Sequence, residues 1–295
     1  MSVTAPKGFR AAGVTAGLKQ RGGRDVALVV NDGPDATAAG VLTGNRVKAA
    51  PVQWSAQVLR GGVVRAVVLN SGGANACTGP GGFQDTHATA AHVAGRLTAA
   101  GRHPISAGDV AVCSTGLIGE RLPMPKLLSG VDAAVRGLAR DGGAAAAEAI
   151  MTTDTRPKTT VVAGDGYTVG GMAKGSGMLA PGLATMLVVL TTDAVADAAT
   201  LDAALRQACL VTFDRVDSDG CMSTNDTVLL LASGASGISP EPHELAAVVT
   251  AAAADLAGQL VADAEGATKE IAIEVIRAAS TADAVEVGRA IARSN

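Results

Sequence analysis

Aromatic side chains make up only 2% of this 295-residue chain, with one Trp, one Tyr and three Phe, so any core has to be assembled from Val, Leu, Ile and Ala. Cysteine is scarce as well. Cys77, Cys113, Cys209 and Cys221 show no C-x-x-C spacing, which excludes a disulfide scaffold and offers no zinc-type ligand set; they read as reduced and mostly buried. Charge of one sign is also lacking. The net charge is −3 with no basic cluster, which argues against nucleic acid or an anionic membrane surface as partner and favours a small-molecule substrate. The opening residues, MSVTAPKGFRAAGV, contain no uninterrupted apolar core of the secretory kind, so a cytoplasmic location is expected.

Serine acyl-enzyme signatures are missing too. There is no S-x-x-K and no G-x-S-x-G, although Ser223-Thr224-Asn225 has the form of an S-x-N element. Gly175, Gly177 and Ala180 fit a loose G-x-G-x-x-A, but Pro181 and Gly182 interrupt the turn that a dinucleotide site needs to be helical. His87 and His92 share a predicted helix at a spacing that puts them on different faces, so they are not a metal pair. The stretch Gly175 to Thr192 is uncharged and just reaches the length of a membrane span. Its proline, glycines and threonines argue against a spanning helix.

What is present is an alternation of strand-like and helix-like segments, the pattern of layered α/β architecture. Strands are predicted at Asp25 to Val30, Val64 to Leu69, Val110 to Cys113, Thr159 to Val162, Thr185 to Thr191, Thr227 to Ala232 and Glu270 to Arg277. Helical patterns cover about Asp85 to Ala99, Pro125 to Ala139, Leu201 to Val211, Glu244 to Ala264 and Ala282 to Ala292, and the run Ala144 to Ala147 also reads as helix. The length fits about two domains or one large intertwined one, and no linker divides it.

Within Lys174 to Thr192, KGSGMLAPGLATMLVVLTT, a nucleophile-capable Thr185 stands directly after Ala184 and directly before a strand-like apolar run. A threonine hydroxyl needs an adjacent base. If the Ala184–Thr185 bond is broken, the new α-amine, with a pKa of roughly 7.7 to 8.0, supplies one on the same residue. Pro181 and Gly182 allow the tight bend that such a cleavage requires, and the small Ala184 leaves its carbonyl open. Taken alone, a threonine heading a strand is more simply a β-branched packing residue.

Several separate blocks change that balance: NSGGANACTG (Asn70 to Gly79), CSTGLIG (Cys113 to Gly119), IMTTDT (Ile150 to Thr155), the Lys174 run, STNDTVLLL (Ser223 to Leu231) and DAEGATK (Asp263 to Lys269). In this order they resemble the ornithine acetyltransferase family of bifunctional arginine-biosynthesis enzymes, from near the N-terminus to the last residues. The resemblance implies an α/β fold of mixed sheets sandwiched by helices, of the N-terminal-nucleophile-like type. It implies self-cleavage between Ala184 and Thr185 into an α-chain, 1–184, and a β-chain, 185–295, held together as a hetero-oligomer in one intertwined fold. It further implies transfer of the acetyl group of N2-acetyl-L-ornithine to L-glutamate in two steps, with acetyl-CoA as a further donor in bifunctional members and no other cofactor or metal.

Residue roles carry over from the same blocks. Thr185 is expected as nucleophile and base, Thr115 and Gly116 as oxyanion donors, and Thr152, Lys174, Thr185 and Glu265 as substrate-binding residues. A turn at Ser114-Thr115-Gly116 would expose backbone donors, Lys174 suits a substrate carboxylate, and Glu265 suits the ornithine ammonium. Relatives continue past the point matching Asn295 into a segment with a D-P-N-W-G-R motif, so the chain is expected to be C-terminally truncated. Two other readings stay open: an amidase or aminopeptidase with the same N-terminal-nucleophile chemistry, and an inactive truncated binding protein.

Overall fold

The longest uninterrupted apolar segments, LVVLTT and TVLLLA, form adjacent central strands of one sheet in the computed structural model, which describes residues 2–101, 104–178 and 186–294. Strands buried on both faces read as continuous hydrophobic runs rather than alternating ones. In β8 (Leu187–Thr192) and β9 (Thr227–Ala232), Leu187, Val189, Leu229 and Leu231 face one apolar cluster, while Val188, Leu190, Val228 and Leu230 face another.

Sheet one runs β1-β2-β4-β5, from Phe9–Val14, Val26–Asn31, Ala66–Gly73 and Val110–Leu117. Sheet two runs β3-β9-β8-β7-β6, adding Thr37–Leu42, Lys158–Ala163 and Thr168–Lys174. Both are mixed. Among the described residues only the pairs β4–β5 and β8–β9 are parallel, and each is joined through a helix. The first crossover is α2 (Gly79–Ala99); the second is α5 (Ala198–Val211), whose Asp197 side chain caps it by accepting from the Thr200 amide at 2.7 Å.

Helix α5 and α6 (Pro242–Ala262) cover the outer face of sheet two. α6 is long and apolar enough to cross a membrane, but Leu245, Val249, Leu256 and Leu260 are buried in the core under that sheet. Helices α2 and α3 (Met124–Arg136) pack together on sheet one, flanked by α1 (Ala50–Leu59) and α4 (Gly143–Ala149). The cluster containing these helices also holds Met172, Leu187, Val189, Leu229 and Leu231 of sheet two, so the two sheets share one interior. The layered α/β sandwich expected from the sequence is the observed architecture.

Two buried asparagines tie the sheets at opposite ends of β9. Asn225 Nδ2 donates to the carbonyls of Ala74 at 2.7 Å and Ser114 at 2.8 Å, and Asn31 Nδ2 of β2 donates to the Ala232 carbonyl at 3.0 Å. Ser223 Oγ accepts from the Asn225 amide at 3.0 Å, so the S-x-N element is a structural brace.

Several elements differ from expectation. Glu270 to Arg277 is not a strand but an exposed loop, with Ile271 80% exposed; its alternating pattern has no neighbouring strand to bond with among the described residues. Strands β1, β3 and β7 and helix α1 were not expected, because FRAAGV, TAAGVL and TVGGMAK are rich in Ala and Gly, which have weak strand preference. Close packing demands those small residues. A Cβ built on Gly13 would lie 1.9 Å from the Ala145 carbonyl oxygen, so only glycine lets α4 approach β1. Helix α2 begins at Gly79 rather than Asp85, with Pro80 in its first turn. The uncharged run starts just after strand β7: Ser176 to Met178 are a bend and Leu187–Thr192 are β8, while 179–185 lie outside the described residues. Of the cysteines, Cys113 and Cys209 are buried but Cys77 and Cys221 are exposed, which corrects the expectation that most are buried.

Replacing Asn225 with Leu is expected to leave the two carbonyls it serves buried without a donor and to destabilise the fold by about 2 kcal/mol. Urea unfolding of the variant against wild type measures it.

Candidate active site

The sequence blocks converge on the end of β7. Its last residue, Lys174, is 1% exposed, and Nζ donates to Thr115 Oγ1 of β5 at 3.3 Å. Burial lowers the Lys174 pKa to about 8; Lys158 and Lys19 push the same way, and Asp154 and Asp226 push against it. A lysine that sequence alone leaves as an ordinary surface charge is thus an interior cation.

Asp154, in the IMTTDT block between α4 and β6, fixes what surrounds it. Oδ1 accepts from the Gly175 amide at 2.7 Å and from Lys158 Nζ at 2.7 Å, and Oδ2 accepts from the Thr152 amide at 3.0 Å. Lys158, with no exposed surface, also reaches Asp263 Oδ2 at 2.5 Å, and the Thr155 hydroxyl bonds to the same Asp263 carboxylate. Burial alone would raise the pKa of Asp154, but Lys174, Lys158 and the Thr152 amide outweigh it and hold the carboxylate below its ordinary value. Asp263 likewise resists burial through Lys158 and Thr155 and is lowered.

This cluster brings the other expected residues alongside. Thr153 and Ser176 share a hydroxyl contact at 2.6 Å. Glu265, exposed just beyond α6, has its carboxylate beside Gly177, where a built Cβ would lie 3.0 Å from Oε2. Thr152 is exposed and held through its amide. Thr115 is buried and Gly116 exposed at the end of β5, so this pair continues a strand where a strand-to-helix turn was expected. Gly116 has φ of 128°, and a Cβ there would meet the Gly72 carbonyl carbon at 2.5 Å. Only glycine keeps its backbone groups in this orientation. Thr115 and Glu265 therefore meet the segment Lys174 to Gly177 directly and Thr152 meets it through Asp154, while Gly116 follows Thr115 in β5. Ala184 and Thr185 lie outside the described residues.

Sequence reasoning passed over Asp226, although STNDTVLLL contains it. Its side chain is wholly buried ahead of β9; Oδ1 accepts from the Met186 amide at 3.0 Å, and buried Oδ2 has no hydrogen-bond partner among the described residues. Burial pushes its pKa to about 7, against the opposing influence of the Met186 amide, the Ser223 and Thr43 side chains and Lys174. Asp154, Lys158 and Asp263 were passed over as well. The blocks holding Asp154 and Asp263 were visible but their burial was not, and Lys158 lies outside every block.

Gly175 to Gly177 follow a strand without opening a helix among the described residues. His92 Nε2 is paired with Asp132 at 2.7 Å, and His87 stacks edge-on against Trp54. Among the described residues, no group of three or more His, Cys, Asp or Glu side chains is arranged to hold a metal.

Two sandwiched mixed sheets with a polar site at their strand ends define the class first. The L-aminopeptidase D-Ala-esterase/amidase of Ochrobactrum anthropi, described as a variant of the Ntn hydrolase fold, aligns with a TM-score of 0.52 at 14% identity over 90% of this chain and 88% of its own, which is a likeness of fold. The ArgJ family profile matches residues 10–295, and the chain belongs to that family. It is 67% identical over 295 residues to the arginine biosynthesis bifunctional protein ArgJ of Streptomyces avermitilis, a match covering 100% of this chain and 76% of the relative. The ornithine acetyltransferase of Mycobacterium tuberculosis, solved in complex with ornithine, is 58% identical with a TM-score of 0.57, over 61% of this chain and 94% of that one.

Asp154→Asn is expected to cost about 3 kcal/mol of stability at neutral pH, because Lys158 and Lys174 lose a buried counter-charge. The folded-state pKa of Asp154 is depressed, so its contribution is present above the unfolded value of about 3.9 and is lost as pH falls through the folded one. Denaturant curves for wild type and variant should accordingly converge in acid.

Proposed function

We propose that this chain is an acetyltransferase of arginine biosynthesis that moves the acetyl group of N2-acetyl-L-ornithine to L-glutamate through an acetyl-Thr185 intermediate. The observation that carries the reading is the convergence of the family's blocks on one buried cation: Lys174 Nζ meets Thr115 Oγ1 at 3.3 Å, while Met186, covalently next to Thr185, is held by Asp226 in the same interior. Acyl transfer needs a nucleophile, donors for the oxyanion and a charged anchor for the substrate within reach of one another.

In the first step the hydroxyl of Thr185 attacks the acetyl carbonyl and its proton passes to the Thr185 α-amine. Negative charge develops on the carbonyl oxygen. The hydroxyl of Thr115, which accepts from Lys174, keeps its own hydrogen available for that oxyanion, and Gly116 supplies a backbone donor at the exposed end of β5. The C–N bond breaks, and ornithine departs with the proton returned to its amine. Glutamate's amine then attacks the acetyl-threonine ester, and the hydroxyl is regenerated. The kinetics are ping-pong.

Lys174 supplies positive charge at the buried end of the site for a substrate carboxylate, Glu265 an exposed carboxylate for the ornithine ammonium, and Thr152 an exposed hydroxyl for the substrate. Acetyl-CoA is the second donor expected of a bifunctional relative. We place the enzyme in the cytoplasm, as a complex of fragments 1–184 and 185–295. The tuberculosis enzyme supports the two-fragment reading, since 61% of this chain accounts for 94% of the solved polypeptide, close to the share lying before Thr185.

Purified wild type should run as two fragments on a denaturing gel, the second beginning at Thr185 by mass spectrometry, and Thr185→Ala as one uncut band without transfer activity. With acetylornithine alone, the enzyme should release one equivalent of ornithine and stall until glutamate is added; continuous release without glutamate would identify an amidase instead. Thr115→Val should lower kcat by about 100-fold or more.

A further inference from the structure

The two substrates of the proposed reaction agree at one end and oppose at the other. Acetylornithine and glutamate each carry an α-carboxylate, but the side chain of the first ends in an ammonium and that of the second in a carboxylate. Glu265 attracts the ammonium and repels the carboxylate. With Lys174 committed to the α-carboxylate, the glutamate half of the reaction requires a second cation, placed apart from Glu265.

Lys19 meets that requirement. It stands half-buried in the loop between β1 and β2, where its ammonium is attracted by Asp25, Asp154 and Glu148 and in turn acts on Lys174. The loop is seated on the strands that carry the oxyanion pair. A Cβ built on Gly72 of β4 would lie 2.8 Å from the Leu18 carbonyl oxygen, and Gly72 is paired with Gly116 of β5. Glycine at position 72 thus lets Leu18, and Lys19 with it, come down beside Gly116. Buried Asp25 fixes the backbone here, accepting from the amides of Ala16 and Leu18 at 2.6 Å each and of Lys19 at 3.2 Å. A cation carried on a loop held in this way loses little freedom when a ligand arrives.

The surroundings of Lys19 leave it able to bind. Nζ donates to the Arg24 carbonyl at 2.6 Å, and an ammonium has three hydrogens. Asp154 attracts it without bonding to it, since both Asp154 oxygens are engaged by Lys158 and the amides of Gly175 and Thr152. Burial is the largest influence on Lys19 and opposes its charge, so a carboxylate delivered there offsets a cost that the folded chain carries. Other cations are less suited. Lys158 is enclosed between Asp154 and Asp263 with no exposed surface, and Arg24 is paired with Glu148 at 2.7 Å. Lys269, four residues after Glu265, is exposed in an open groove that also holds Glu270 and Glu274.

We propose that Lys19 selects glutamate as the acetyl acceptor, pairing with its side-chain carboxylate while Lys174 holds the α-carboxylate. This rests on the reading of the chain as an acetylornithine–glutamate acetyltransferase. The two side chains then leave a common anchor in different directions, the ornithine ammonium toward Glu265 beside Gly177 and the glutamate carboxylate toward Lys19 beside Gly116. A single anchor with one anionic and one cationic flank serves substrates whose side chains carry opposite charge.

In a ping-pong enzyme the kcat/KM values for acetylornithine and for the acceptor report separate half-reactions, so the test reads both. Lys19→Gln should lower kcat/KM for glutamate by about 10-fold or more, chiefly through KM, and leave kcat/KM for acetylornithine within about 2-fold of wild type. Glutamine, close in shape but neutral, is the control acceptor. Wild type should favour glutamate over glutamine by a margin that Lys19→Gln loses and Lys19→Arg largely keeps. An equal fall for both acceptors, or an unchanged preference for glutamate, overturns the proposal; so does loss of that preference in Lys269→Gln with Lys19 intact. If Lys19→Gln does not fold, Lys19→Met, which keeps an apolar stem, is read in the same way. A wild-type chain that moves no acetyl group from acetylornithine to glutamate defeats the underlying reading instead, a result seen before any variant is made.

Discussion

The site depends on the ion cluster of Asp154, Lys158 and Asp263. A lysine with no exposed surface is tolerable only with counter-charges, and Lys158 has two, one from the loop before β6 and one from the end of α6. Asp154 uses its remaining hydrogen-bonding capacity on the amides of Thr152 and Gly175. The cost of burying charge is thereby offset by bonds that orient the backbone on both sides of the pocket. The same carboxylate favours the Lys174 ammonium against its burial, and that ammonium donates to Thr115.

Around this cluster the architecture is made of small side chains. With aromatics nearly absent, the two-sheet interior closes by approach rather than by filling: alanine and glycine strands let helices and neighbouring backbone come near, and buried asparagines take over the hydrogen bonding where the sheets meet. The parallel pairs β4–β5 and β8–β9 bring their strand ends to the joint between the sheets, which is where Thr115, Lys174 and Asp226 lie.

How much of this was legible in the sequence varied with the kind of force involved. β8 and β9 were legible because strands covered on both faces have to be apolar throughout. β1, β3 and β7 were not, since their Ala and Gly residues are chosen for fit against a partner that the local sequence does not contain. Glu270 to Arg277 erred in the other direction, having strand periodicity but no strand beside it. In the site, the Thr115-Gly116 pair and Lys174 were found through their blocks. Asp154 and Asp226 look in sequence like any loop acid, and their importance comes from burial, which only the assembled chain has.

The order of sheet two, β3-β9-β8-β7-β6, has a consequence for a chain that is cut ahead of β8. β8 and β9 would belong to one piece and β3, β7 and β6 to the other, so the shorter piece would be clasped on both sides by strands of the longer. Severing the backbone would leave every ladder intact, and the halves could part only by unzipping two antiparallel seams together. Such an enzyme would hold a shape that its separated pieces never had to find, a product of the intact polymer's assembly, and once pulled fully apart it would have lost the tether that made reassembly a unimolecular event.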